Sequence, residues 1–197
     1  MRIFNGLLHH IKMKRLTVSL IFFGLILTAA FISFSQNSQT LPAMKKPRLI
    51  VRKEKRELQF FDAGKLVKTY KIALGFAPEG DKEIEGDGKT PEGVFYVFTK
   101  NPKSRFHLSL GLSYPNIEAA QRGLRQGIIT RKEHDEIVKA INAKLMPPQN
   151  TALGGEIYLH GGGKAKDWTW GCVAVENEEI QELFETIPVG TEVEILP

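Results

Sequence analysis

The chain contains a single cysteine, Cys172, among its 197 residues. One cysteine cannot form a disulfide within the chain, so a fold held together by disulfides is excluded. It also leaves no cysteine cluster for zinc, and the five histidines offer no helical i, i+4 pair. We therefore predict no metal and no cofactor. Cys172 is then an inert buried thiol, a partner for another chain, or a reactive group.

Acidic residues are absent from residues 1–40, which carry four of the basic ones. Removing these four from the 27 basic residues leaves 23, against 22 acidic residues, so residues 41–197 have a net charge of +1. Such a balanced charge is not the basic footprint of a nucleic-acid-binding domain.

Charge is also absent from residues 16–34, an apolar run long enough to cross a bilayer as a helix. The basic residues that precede it orient the N-terminus toward the cytoplasm and the remainder outside. The run is longer than the apolar core of an ordinary signal peptide, yet Thr28-Ala29-Ala30 and Ser33-Phe34-Ser35 offer cleavage sites. Residues 1–35 are thus a signal peptide or a signal anchor. No cysteine lies near the run, which excludes a lipidated N-terminus.

Residues 36–47 are polar with two prolines and predict a linker, which leaves residues 48–197 as the exported domain. This domain is placed outside the cytoplasmic membrane, in the periplasm or cell-wall space, with the N-terminal segment at the inner membrane. β-branched and alternating segments predict its strands. They are residues 49–51, 57–61, 66–74, 93–98, 106–110, 156–160, 172–175 and 191–195.

Helix signals are concentrated in a predicted insertion at about residues 115–146. Asn116 is placed to cap a first helix that runs to about Arg125. Thr130 and Glu133 form a capping box for a second helix, whose apolar stripe is Ile137, Val138, Ile141 and Leu145. A last helix is predicted at residues 176–187. The elements together predict an α+β fold that is mostly β.

The residues around Cys172 are consistent with a reactive thiol, and a buried thiol packed in the core stays the alternative. His160 ends one predicted strand, Cys172 begins another, and a glycine-rich loop joins them. Adjacent strands joined in this way bring a base to a thiol, which is what acyl transfer by cysteine requires.

The segments YLHGGG and DWTWGCVAVEN resemble the active-site signature of the L,D-transpeptidase catalytic domain, the YkuD-like family, and GDGKTPEGVF resembles its Thr-Pro-x-Gly turn. The resemblance covers roughly residues 48–197 and implies a mixed β-sandwich. It implies Cys172 as nucleophile and His160 as general base and acid. A low pKa of the Cys172 thiol follows if an imidazolium lies beside it. It further implies the carbonyl of Gly161 or Gly162 as the group that orients the imidazole. The N–H groups of Gly171 and Cys172 would form the oxyanion hole.

Two positions depart from the usual signature. Trp170 stands where a histidine is usual, and Ala174 stands where an arginine is usual. The Trp-Thr-x-Gly-Cys-x-Ala-Val form is similar to a side branch that includes an amidase releasing a lipoprotein from the cell wall. The candidate substrate contacts are Lys164, Lys166, Trp168, Thr169 and Trp170.

The function implied by the resemblance is cysteine-dependent acyl transfer on peptidoglycan stem peptides, in cell-wall remodelling and cell shape. One alternative is a hydrolase of the same bond type, either an L,D-carboxypeptidase or an amidase acting on a wall-linked lipoprotein. A second alternative is an inactive wall-binding module.

Overall fold

The computed structural model describes residues 44–197. The predicted signal peptide or anchor and residues 36–43 of the predicted linker lie outside the described residues. Within residues 44–197, no helix combines the length and the apolar character needed to cross a membrane.

Within residues 44–197, eight strands form one hydrogen-bonded sheet. They are β1 (Pro47–Arg52), β2 (Glu57–Asp62), β3 (Lys65–Lys71), β4 (Gly93–Ser104), β5 (His107–Leu112), β6 (Tyr158–His160), β7 (Val173–Ala174) and β8 (Glu192–Leu196). Their order in the sheet is β3-β2-β1-β8-β4-β5-β6-β7. The pairs β1–β8 and β6–β7 are parallel and the other five pairs are antiparallel. The sheet is therefore mixed.

The long strand β4 joins the two halves of this sheet. Its first residues pair with β8, and beyond an irregularity at Val97 it pairs with β5. The apolar core contains buried residues from both halves, such as Leu49 on β1 and Leu159 on β6. Beyond β3, Ala73 exchanges two backbone hydrogen bonds of 2.8 Å with Ala174 of β7. The predicted α+β fold, mostly β and arranged as a mixed sandwich, is confirmed.

Three helices accompany the sheet within the described residues: α1 (Ile117–Arg125), α2 (Arg131–Asn142) and α3 (Asn177–Thr186). The predicted caps are confirmed, because the Asn116 side chain accepts from the Ala119 N–H and Thr130 forms a capping box with Glu133. Helices α1 and α2 pack on a small core of their own that includes Ile137 and Leu153.

Two sequence predictions of these elements were wrong. The chain leaves α2 after Asn142 and Lys144 has φ +55°, so the helical period no longer directs Leu145 inward. That side chain is 63% exposed. The third strand was predicted to continue to Leu74 but ends at Lys71, because the chain leaves β2 there to pair through Ala73 with β7.

Candidate active site

His160 is the last residue of β6, and Cys172 immediately precedes the adjacent strand β7. Strands β6 and β7 run parallel with His160 opposite Ala174, so two residues back Tyr158 lies beside Cys172. The Tyr158 N–H donates to Cys172 Sγ at 3.4 Å. Side chains two residues apart on a strand share a face, so His160 and Cys172 are diagonal neighbours on one face. The candidate base and nucleophile are therefore brought together by strand pairing.

The imidazole of His160 is oriented by the carbonyl of Gly161. His160 Nδ1 lies 2.6 Å from the Gly161 oxygen, which only accepts, so we assign the ring proton to Nδ1 and the lone pair to Nε2. Burial lowers the pKa of His160, while the bond to Gly161 opposes that shift. The ring is then a neutral base at neutral pH. Of the two glycines predicted for this contact, Gly161 makes it.

Two aromatic side chains pack against the same ring and against each other. Phe106, at the tip of the β4–β5 hairpin, stacks on His160 with ring centroids 4.6 Å apart. Trp168 meets the imidazole edge-on at 5.6 Å, and its indole N–H donates to the Gly163 carbonyl at 3.0 Å. Trp168, predicted as a substrate contact, therefore packs against the candidate base.

The loop after His160 is fixed by Asn177, the first residue of α3. Asn177 Oδ1 accepts from the Gly162 N–H at 3.0 Å. A Cβ on Gly161 would lie 2.6 Å from that same Oδ1 and 2.8 Å from the Phe106 carbonyl oxygen, so only glycine fits there. Sequence reasoning did not assign this role to Asn177, although the residue belongs to the DWTWGCVAVEN segment.

The thiol of Cys172 is bound by backbone groups. Sγ donates to the Glu156 carbonyl at 3.4 Å and accepts from Tyr158, and within residues 44–197 no hydrogen bond joins it to His160. Burial raises the pKa of the Cys172 thiol to about 11; the Glu156 charge adds to the rise, whereas the Tyr158 N–H and Lys82 oppose it. A low thiol pKa was expected only beside an imidazolium; in this state the imidazole is neutral and burial dominates.

Thr169 and Gly171 support the turn that precedes the thiol. Thr169 is buried, its Oγ1 donates to the Cys172 carbonyl at 2.8 Å, and it accepts from the Gly171 N–H at 3.2 Å. Thr169 therefore braces the turn and is not an exposed substrate contact. Of the two N–H groups predicted to form the oxyanion hole, that of Gly171 already donates to Thr169. The Cys172 N–H donates to no acceptor within the described residues.

A groove of about 370 Å³ opens beside Cys172. It is lined by Lys82, Glu85, Gly86, Gln149, Gly154, Gly155, Glu156, Trp170 and Cys172. Trp170 is 70% exposed and packs edge-on against Phe76 with centroids 5.0 Å apart. Trp170 thus borders the groove, and its role as a substrate contact stays a prediction.

The cation in this groove is Lys82 and not either of the predicted lysines. Lys164 pairs with Glu179 of α3 at 2.5 Å, and Lys166 is exposed. Neither lines the groove. Lys82 is buried, with its Nζ donating to the Ile84 carbonyl at 2.9 Å and to Asp87 at 2.8 Å. No local sequence signal identifies Lys82, because only tertiary folding brings it to Cys172.

The helical insertion supports the side of the groove that contains Lys82. Arg122 of α1 donates to the Lys82 carbonyl at 2.8 Å and pairs with Asp81 at 2.9 Å. Asp87 in turn binds the Lys82 ammonium and three backbone N–H groups; these bonds outweigh the effect of burial and lower its pKa. The charged groups around Lys82 are therefore held in one arrangement.

The family of the L,D-transpeptidase catalytic domain matches residues 46–195. YqjB of Bacillus subtilis (strain 168), for which L,D-transpeptidase activity is proposed, is 29% identical over 159 residues, covering 77% of this chain and 72% of YqjB.

Two solved structures are similar in fold. Bd1075 of Bdellovibrio bacteriovorus has a TM-score of 0.51 at 22% identity, over 78% of this chain and 48% of Bd1075. Pgp2 of Campylobacter jejuni, a helical cell shape determining protein, has a TM-score of 0.51 at 22% identity, over 76% of this chain and 47% of Pgp2. The chain spans about half the length of these two structures.

Proposed function

This chain belongs to the family of the L,D-transpeptidase catalytic domain, and from that premise we propose that it transfers acyl groups between peptidoglycan stem peptides through a thioester on Cys172. The observation that carries the proposal is the shared face of His160 and Cys172 beside an open groove, with His160 Nε2 free to accept a proton. The enzyme acts outside the cytoplasmic membrane, in cell-wall remodelling that affects cell shape.

The first half-reaction forms the thioester. The thiol proton of Cys172 moves to Nε2 of His160, and the thiolate attacks the amide carbonyl at the L-centre of the diamino acid in the stem peptide. The carbonyl oxygen gains the negative charge and is met by the free Cys172 N–H. His160 then gives its proton to the departing amine of the D-residue, which leaves the acyl group on sulfur.

The second half-reaction releases the acyl group. An acceptor amine attacks the thioester carbon, His160 takes the excess proton from the nitrogen, and the thiolate departs and is reprotonated. Transfer requires that the amine be held close to the thioester and that water be excluded. The exposed ring of Trp170 at the groove is placed to cover the acyl group.

Lys82 is the group we propose to hold a substrate carboxylate, in place of the arginine that the usual signature has. Its Nζ uses two of three donors, on Ile84 and Asp87, which leaves one for the groove. A lysine provides a less directional contact than an arginine, since it has no planar pair of donors.

A second candidate function is hydrolysis of the same thioester. Ala174 is buried and its backbone is paired with Ala73, so this position makes no contact with an acceptor's carboxylate. Weaker binding of the acceptor favours water as the second nucleophile. An L,D-carboxypeptidase, or an amidase that releases a wall-linked lipoprotein, would work in this way.

A tetrapeptide substrate with an excess of a free D-amino acid separates these reactions. Exchange of the terminal D-alanine for the added residue, read by mass spectrometry, is the expected result for transfer. Tripeptide alone at every acceptor concentration would instead establish the hydrolase. If the folded protein forms no product, the remaining alternative is an inactive wall-binding module.

A further inference from the structure

Gln149 joins the helical insertion to the nucleophile. Its side-chain amide donates to the carbonyls of Tyr114 at 3.0 Å and Pro147 at 2.8 Å, which flank helices α1 and α2. Its Oε1 accepts from the Glu156 N–H at 2.7 Å. Both ends of the insertion and the segment before β6 are therefore tied together by one side chain.

The backbone at Glu156 has an uncommon conformation. Its φ is +54°, in the left-handed region that residues other than glycine seldom occupy. The neighbouring Gly155 lies so close to Gln149 that a Cβ there would be 2.4 Å from the Gln149 carbonyl oxygen. Such a conformation persists only where its surroundings hold it, and the bond from the Glu156 N–H to Gln149 is one such restraint.

This conformation directs the Glu156 carbonyl at the thiol. Cys172 Sγ donates to that oxygen at 3.4 Å, and no hydrogen bond to His160 occurs within the described residues. A carbonyl accepts a hydrogen bond but does not take up the proton, so the thiol stays protonated while this contact persists. His160 Nε2, in contrast, is able to remove the proton.

We propose that Gln149 is a positioning residue that fixes the Glu156 carbonyl as the resting acceptor for the Cys172 thiol, in competition with His160. Activation then consists of one proton transfer: the Sγ–H bond breaks and an Nε2–H bond forms, leaving a thiolate and an imidazolium. The helical insertion thereby controls the reactivity of the thiol through Gln149. The inference rests on the proposed role of Cys172 as nucleophile.

Alkylation of the purified protein by iodoacetamide tests this directly, since only the thiolate displaces iodide. Gln149→Met keeps the length of the side chain and removes its hydrogen bonds. We expect its alkylation at pH 7 to be about tenfold faster than that of the wild type, corresponding to a thiol pKa lower by about one unit. Gln121→Ala, at an exposed position of α1, is the matched control and is expected to react at the wild-type rate.

A second comparison separates positioning from loosened packing. In a His160→Ala background, Gln149→Met is expected to give no acceleration, because no imidazolium can form beside the thiolate to stabilise it. Gln149→Glu keeps an acceptor for the Glu156 N–H and is expected to react no faster than the wild type. An unchanged rate in folded Gln149→Met, or an acceleration that persists without His160, would overturn the proposal.

Gln149→Ala repeats the test if the methionine variant fails to fold, since it admits water to the freed carbonyls. Circular dichroism and thermal unfolding establish folding for each variant. Alkylation requires no peptidoglycan, so its outcome is independent of the tetrapeptide assay, and failure of one does not imply failure of the other.

Discussion

The Nδ1 atom of His160 lies 2.6 Å from the carbonyl oxygen of Gly161, the next residue in the chain. This contact keeps a proton on Nδ1 and the lone pair on Nε2, as a general base for Cys172 requires. The contact depends on a glycine at position 161, because Asn177 and Phe106 leave no room for a Cβ. The loop that begins at Gly161 therefore fixes the orientation of the His160 imidazole.

Replacement of His160 by alanine is expected to reduce the rate of stem-peptide turnover by at least ~10²-fold, the typical contribution of a general base. Turnover of a tetrapeptide under single-turnover conditions measures it. His134→Gln, on α2, is the control and should leave the rate unchanged. Equal rates of thiol alkylation at neutral pH in wild type and His160→Ala would show that His160 does not activate Cys172.

The stability of the fold is expected to decrease as the pH falls below 6.5, the ordinary pKa of histidine. Burial lowers the pKa of His160 in the folded state, so the unfolded chain binds a proton first and gains stability from it. The contribution of His160 to the free energy of unfolding is therefore complete above pH 6.5. It is lost as the pH falls toward the lower pKa that His160 has in the folded state. Urea unfolding of wild type and His160→Gln between about pH 5 and pH 7 measures this. Parallel pH dependences would contradict it.

Glu156→Gln is expected to lower the pKa of the Cys172 thiol below its wild-type value of about 11. The main cause of the raised pKa is burial, which the substitution leaves in place, while the repulsion between the thiolate and the Glu156 carboxylate is removed. The pH profile of alkylation is the measurement. Glu136→Gln on the exposed face of α2 provides the control, and a midpoint shared by all three proteins would refute the charge effect.

Local signals were enough to predict the helix starts. The cap at Asn116 and the capping box at Thr130 are contacts within three residues, so the sequence contains all that determines them. The pairing of β6, which ends at His160, with β7, which follows Cys172, could also be predicted from the sequence, because one glycine-rich loop joins the two strands.

Contacts between segments distant in the chain could not be predicted from the sequence in this way. Lys82 and Gln149 reach the groove only when the segments before β4 and after α2 pack beside β7. The raised pKa of the Cys172 thiol depends on the burial of Sγ and on the Glu156 charge, which the Cys172 motif does not specify. For the same reason the sequence favoured Lys164, whose ammonium is instead bound by Glu179.

Trp170→Ala is expected to reduce catalytic efficiency on stem peptides about tenfold, a loss of about 1.4 kcal/mol. Because the side chain is 70% exposed, the free energy of unfolding should change by less than about 0.5 kcal/mol. Leu145→Ala, at a side chain 63% exposed and outside the groove, is the matched control. A stability loss with unchanged kinetics would make Trp170 a packing residue only.

The mass of the intact protein after brief exposure to a tetrapeptide stem is the most direct measurement of the thioester on Cys172. We expect a fraction of the wild-type protein to gain the mass of the tripeptide acyl group, with the adduct mapped to Cys172 and removed by added amine. Cys172→Ala should gain no mass, turn over no substrate and keep the wild-type unfolding transition. Turnover by folded Cys172→Ala at the wild-type rate, or an adduct on another residue, would contradict acyl transfer through Cys172.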